Sequence, residues 1–344
     1  MTKPSTTPRP RRLIGAVAVL AAAAAVLAAC STGTSGSGST ATPTGGGSST
    51  SSSPITTPSP SPSTSKKVVP VGRPVHIRTL NADNSTYGVG MPIIAYFSKK
   101  ITDARPLSAA TTVTANGKPV VGAWYFEYSS ASAAFPIEGH WRPQHFWPAH
   151  SRIHVDLPMK GKSGGPGLVF DDSLTLDYSI GAAHMSTVLD STHTMTVMND
   201  GKLWGTFPVS LGASNTPTLS GTKVIMEKGR DIAMRGPGYY DPHIKFTQRL
   251  TYSGEYLHAA PWNCVSQAQG CSSTGVNHIG SIDSSNGCTN LTPTDAAKLY
   301  NFLNVGDPVQ YPDAMGAKMQ IGQGYGDWNV PWSQWLTGGL VRTT

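Results

Sequence analysis

From Val68 onward the chain is cut into short apolar runs separated by glycine, proline, asparagine and serine. Few of these runs are long enough for a helix, which confines the fold to mainly β structure. Val75-His76-Ile77-Arg78, Ile93–Phe97, Ala123–Phe126, Ile153–Leu157 and Leu174–Tyr178 all read as strands. Several alternate apolar and polar residues, as a half-buried strand must. Asn116-Gly117 is a hairpin signal. About seven strands over residues 68–180 predict an immunoglobulin-like sandwich. With 37 Gly and 27 Pro against 13% charged residues, the composition favours turns and strands over helical bundles.

Residues 184–311 continue the β pattern. Met195–Met198, Asn199-Asp200-Gly201 and Lys202–Val209 form a predicted hairpin, and Thr222–Glu227 and Arg249–His258 are further predicted strands. One helix is predicted over 293–303. Thr292 stands at its N-cap, Pro293 at N1 and Asp295 at N3, while Leu299, Phe302 and Leu303 share an apolar face and Gly306 closes it. Trp328, Trp332 and Trp335 near the C-terminus are read as packing residues.

The first 66 residues are of another kind. Arg9, Arg11 and Arg12 precede an apolar run, Leu13–Ala29, that stops at Cys30. This is the form of a secretory signal, and Leu27-Ala28-Ala29-Cys30 is the form of a bacterial lipobox. The expectation is cleavage before Cys30, lipidation of its thiol, and anchoring at the outer face of the cell membrane. An uncleaved anchor helix or a plain secreted chain are the alternatives. Residues 31–66 are almost wholly Ser, Thr, Gly and Pro and predict a disordered tether. Part of the formal charge of +7 lies in the signal, so it gives no reason to expect nucleic acid.

An exported chain of this kind keeps Cys264, Cys271 and Cys288 beside Cys30. Cys264 and Cys271 enclose a short loop and are read as a pair, leaving Cys288 as the free thiol; another pairing, or three reduced thiols, are the alternatives. Cys288 follows Gly287 and precedes the predicted helix, while His258 ends a predicted strand. A neighbouring imidazole and helix N-terminal amides both favour a thiolate, and Gly287 permits a tight turn in which amides face an oxyanion. His76, His140, His145, His150 and His154 lack metal-like spacing with Cys or carboxylates and are read as surface or structural residues.

The segments Tyr252-Ser253-Gly254-Glu255-Tyr256-Leu257-His258-Ala259-Ala260-Pro261-Trp262 and Ser284-Ser285-Asn286-Gly287-Cys288-Thr289-Asn290-Leu291 resemble the paired motifs of the L,D-transpeptidases, the YkuD-type catalytic domain, in their mycobacterial form. Tyr87–Pro92 and Trp141–Trp147 resemble that subgroup's immunoglobulin-like domain, and Gly326–Trp335 its C-terminal tail. Behind the lipoprotein signal (1–30) and tether (31–66), the resemblance implies three further segments: an immunoglobulin-like domain (67–181), a catalytic domain with one or two short helices (182–312), and a tail packing on the immunoglobulin-like domain (313–344).

It further implies Cys288 as nucleophile and His258 as base, oriented by the backbone carbonyl of Ala259. Tyr240, with Tyr239 as the other choice, is the implied oxyanion donor; Gly287, Ser285, Asn286, Asn290, Met234 and Trp262 line the site. The family commonly has His where Asn286 stands. The stretch between His258 and Cys288 is longer than usual and is read as a disulfide-stapled loop over the pocket; His278, within it, is the alternative base. The implied reaction is 3→3 peptidoglycan cross-linking through a cysteine thioester with release of D-Ala. Its partners are a donor tetrapeptide stem and an acceptor amine, with carbapenem-type β-lactams as inhibitors and no cofactor or metal. A non-catalytic wall-binding lipoprotein, an L,D-carboxypeptidase and a protein-anchoring acyl transferase are the alternatives.

Overall fold

The computed structural model describes residues 71–130, 133–236 and 239–344. The expected signal, the lipobox Cys30 and the tether lie outside the described residues.

Two antiparallel sheets dominate the first half. One runs in the order Ile77–Thr79, Ile93–Phe97, Ile137–Pro143, Gly122–Tyr128. The other runs Thr86–Tyr87, Leu174–Ile180, Ser151–Leu157, Thr112–Ala115, Lys118–Pro119, with one parallel pairing at Thr86–Tyr87. Alternation explains their stacking. In Ser151–Leu157 every second residue is buried, so Ile153 and Val155 meet Phe97, Trp124 and Phe126 from the facing sheet. This is an immunoglobulin-like sandwich. The sequence reading missed the strand Ile137–Pro143, every residue of which is buried, so it shows no alternation. It also missed the short helix Arg105–Ala110.

The second half holds two further sheets. The first runs Lys202–Pro208, Thr194–Asn199, His184–Leu189, Pro308–Tyr311, Gly221–Val224. The second runs Glu227–Gly236, Tyr239–Arg249, Tyr256–Ala259, Thr289–Leu291. Val188, Val197, Phe207, Leu257 and Leu291 face inward, and the helix Pro293–Phe302 adds Ala296 and Leu299. Thr292 caps that helix, its Oγ1 accepting the Asp295 amide at 3.2 Å. The predicted continuous strand Arg249–His258 is broken. The chain turns back at Thr251–Glu255, where the Glu255 amide donates to Thr251 Oγ1, and resumes as Tyr256–Ala259. Ser253-Gly254 was the turn signal that the apolar flanks obscured.

The two halves interlock at Tyr87–Met91. Gly88 and Gly90 donate to the carbonyls of Val305 and Gly306 at 2.8 Å each. A Cβ on Gly88 would stand 2.2 Å from the Asp307 amide, so only glycine fits there. The tail completes the seam. Trp328 Nε1 donates to Gly90 O, Trp335 Nε1 donates to Ala123 O, and the Arg142 guanidinium stacks on Trp328 and Trp335 at 4.7 and 4.3 Å. The three tail tryptophans thus serve packing.

Candidate active site

Strand pairing delivers the site. Tyr256–Ala259 and Thr289–Leu291 run parallel with His258 opposite Asn290, which brings the segment just before Thr289 alongside the His258 strand. A cavity of about 330 Å³ opens there, lined by His258, Cys288, Asn290, Ser284, Ser285, Asn286, Trp262, Met234, Tyr239, Tyr240, Asp241 and Ile244. Every residue expected in the site is among these except Gly287, which adjoins it, Ala259, whose carbonyl meets His258, and His278, which does not line it.

Cys288 is the free thiol among the described residues, and Cys264 and Cys271 are joined. The stapled segment does not roof the cavity. It forms a short 3-10 turn, Gln267–Gln269, whose end at Gly270 rests against Pro293 at the helix start, and only its flanks, Trp262 and Ser284, reach the cavity wall. Closing so short a loop restricts the unfolded chain by about 2–3 kcal/mol. Thiol titration of the chain from residue 31 onward, denatured without reductant, is expected to give one thiol. Three thiols before reduction would refute the pairing.

His258 is buried, and its Nδ1 lies 2.9 Å from the Ala259 carbonyl. A carbonyl only accepts, so Nδ1 carries the proton and Nε2 is left with its lone pair. Burial pushes the imidazole below its ordinary value, with the Ala259 carbonyl and Asp241 opposing. Burial pushes the Cys288 thiol up to about 12; the Tyr256 amide opposes, Glu255 adds and Lys223 opposes. The resting pair is therefore neutral thiol and neutral imidazole. The thiol is directed at Gly254 O, 3.5 Å away.

The loop before the sulfur is tightly held. Gly287 has φ +99°, where a side chain would be strained. Its amide donates to Ser285 Oγ at 3.1 Å, so the resting structure commits that donor elsewhere than to an oxyanion. Ser285 Oγ donates to Cys288 O at 2.6 Å, and Thr218 Oγ1 to Gly287 O at 3.0 Å. Asn286 is exposed and lines both this cavity and a neighbouring one that shares Met234 and Tyr239. Asn290 Oδ1 is buried without a hydrogen-bond partner among the described residues. Of the two tyrosines that line the cavity, burial raises the Tyr239 hydroxyl above its ordinary value, while the Arg235 guanidinium lies over the Tyr240 ring at 4.9 Å.

Sequence reading missed Lys223 and Glu255. Lys223 is wholly buried, and its Nζ lies 2.5 Å from Glu255 Oε2 and 3.9 Å from the centre of the Tyr311 ring. Glu255 Oε1 accepts the Leu219 amide at 2.8 Å, and its side chain stands behind Gly287. The pair buttresses the cysteine loop from below. No local motif marks it, because the partners lie 32 residues apart.

This fold and site define a β-rich domain that holds a free thiol and a buried histidine around one cavity, joined to an immunoglobulin-like sandwich. Residues 185–310 match the YkuD family, the L,D-transpeptidase catalytic domain, and residues 37–163 match the bacterial Ig domain family. The chain is homologous to the mycobacterial L,D-transpeptidases. It is 29% identical to L,D-transpeptidase 2 of Mycobacterium tuberculosis (strain CDC 1551 / Oshkosh) over 77% of its own length and 63% of that protein. It is 30% identical to L,D-transpeptidase 5 of strain ATCC 25618 / H37Rv over 76% of its length and 56% of that protein. The chain thus spans about three fifths of these relatives. An L,D-transpeptidase solved in complex with imipenem aligns with a TM-score of 0.53 at 26% identity, over 68% of this chain and 97% of that one.

Proposed function

We propose that this chain is an L,D-transpeptidase of the cell envelope that forms 3→3 peptidoglycan cross-links. The observation that carries this reading is the free thiol Cys288 sharing a cavity with His258, whose Nδ1 is fixed by Ala259 O. His258 Nε2 takes the thiol proton as the sulfur attacks the carbonyl of the third stem residue, a diaminopimelate. The proton passes to the leaving amine, D-Ala departs, and a thioester remains. The side-chain amine of a second stem attacks the thioester, its proton returns through His258, and the thiol is regenerated. Tyr240 and Tyr239 both line the cavity and are the candidate hydroxyl donors to the oxyanion. Asn290 Oδ1 offers an acceptor to the stem peptide. The lipobox supports anchoring through Cys30, with the tether holding the domains away from the membrane.

Two measurements test this. Incubation with a tetrapeptide stem is expected to release D-Ala and, with an acceptor stem, to give a cross-linked dimer by mass spectrometry. Imipenem is expected to add one adduct at Cys288, and Cys288→Ala to give neither product. D-Ala release without dimer would redirect the reading to a carboxypeptidase; no adduct and no release with Cys288 reduced would sink it.

A further inference from the structure

At the seam between the sandwich and the tail lies a buried cluster unconnected with the sulfur chemistry. Glu138 and His140 are two apart on Ile137–Pro143, so they face the same side, and Glu127 is the cross-strand partner of Glu138. His140 is wholly buried. Its Nδ1 lies 2.7 Å from Asp327 Oδ1, also wholly buried. Asp327 therefore accepts from Nδ1 and turns Nε2 toward the two glutamates, the placement by which a carboxylate orients a metal-binding histidine.

Nε2 has no hydrogen-bond partner among the described residues, and neither do Glu138 Oε1 and Glu127 Oε1, which lie 3.4 and 3.8 Å from it. Donor atoms in a tetrahedral shell at roughly 2.1 Å from an ion stand about 3.4 Å apart. Charge points the same way. Three carboxylates meet here, while the nearby Arg142 spends its hydrogen bonds on the carbonyls of Pro143, Gln144 and Val330. Glu127 is 12% exposed and borders a surface hollow beside Gly322, which gives an ion a way in.

We propose that Glu127, Glu138 and His140, backed by Asp327, bind one divalent transition-metal ion, zinc by preference for a mixed imidazole and carboxylate set. The ion ties two sandwich strands to the tail through Asp327 and leaves the thiol chemistry untouched. The sequence hides the site because two ligands form a Glu-Gly-His step on one strand and the third comes from its neighbour.

The test is zinc titration by calorimetry, with thermal melting, on the full chain stripped by chelator and with Cys288 capped by iodoacetamide. One zinc per chain and a higher melting point are expected. Glu127→Gln is expected to weaken binding at least 100-fold while its metal-free form melts no lower than metal-free wild type, since one repelling carboxylate is gone. Asp283→Asn, in the separate Asp190–His193–Asp283 group, is expected to leave that affinity unchanged. Absence of binding by wild type, full affinity in Glu127→Gln, or loss of the zinc only in Asp283→Asn would each overturn the proposal.

Discussion

Lys223→Met is expected to destabilise the protein by about 3–5 kcal/mol, because it leaves the Glu255 carboxylate buried without its partner. Nothing at the surface can replace that partner, since Lys223 is wholly buried. Glu255→Gln, which strands the ammonium instead, is expected to fall in the same range. The double variant Lys223→Met, Glu255→Gln is expected to return to within about 2 kcal/mol of wild type, since removing both charges ends the desolvation penalty. The glutamine keeps an oxygen for the Leu219 amide. Urea denaturation followed by tryptophan fluorescence measures all three. A single variant losing under 1 kcal/mol, or a double variant as weak as the sum of the singles, would show that the pair is not coupled as described. Lys223→Met also removes a positive charge that holds the Cys288 thiol down, so acylation at neutral pH is expected to slow.

The second large effect concerns the base. His258→Gln is expected to slow acylation by imipenem about 10²–10⁴-fold, the usual contribution of a positioned general base. Its pH profile is the sharper reading. In wild type the base works when neutral, and burial holds His258 below its ordinary value of 6.5. The rate is therefore expected to be flat above neutrality and to fall only on the acid side. In the variant the rate follows the thiolate fraction. With the thiol pushed up to about 12, that fraction grows about tenfold per pH unit from pH 7 to 9. His278→Gln is expected to keep the wild-type profile, since His278 does not line the cavity. A flat profile in His258→Gln, or a wild-type loss transferred to His278→Gln, would move the base elsewhere.

Local signals were legible where one residue decides a local conformation. Thr292 and Pro293 announced the helix start, Asp200-Gly201 the hairpin, and Asn116-Gly117 another turn. The neighbourhood of Cys288 and His258 was legible too, through the motifs that carry the family resemblance. What stayed hidden depends on partners distant in the chain. Ile137–Pro143 lacks alternation because the tail covers its outer face, so a strand bearing Glu, His and Arg is buried throughout. Lys223 sits in a short strand where nothing local foretells a carboxylate 32 residues later. The stapled loop shows a related limit: the cysteine pair could be read from thiol arithmetic, but its lean on Pro293 comes from packing.

The Gly88 contact has a bearing on ancestry. A backbone pressed against Asp307, hydrogen bonds from Gly88 and Gly90 to residues 305 and 306, and a tail that returns to cover the first sandwich make the two halves poor candidates for independent exchange. Recombination that grafted another immunoglobulin-like module ahead of this catalytic half would have to bring its own glycine pair and its own tryptophan seat. The two halves are thus expected to be inherited, and to diverge, as one unit.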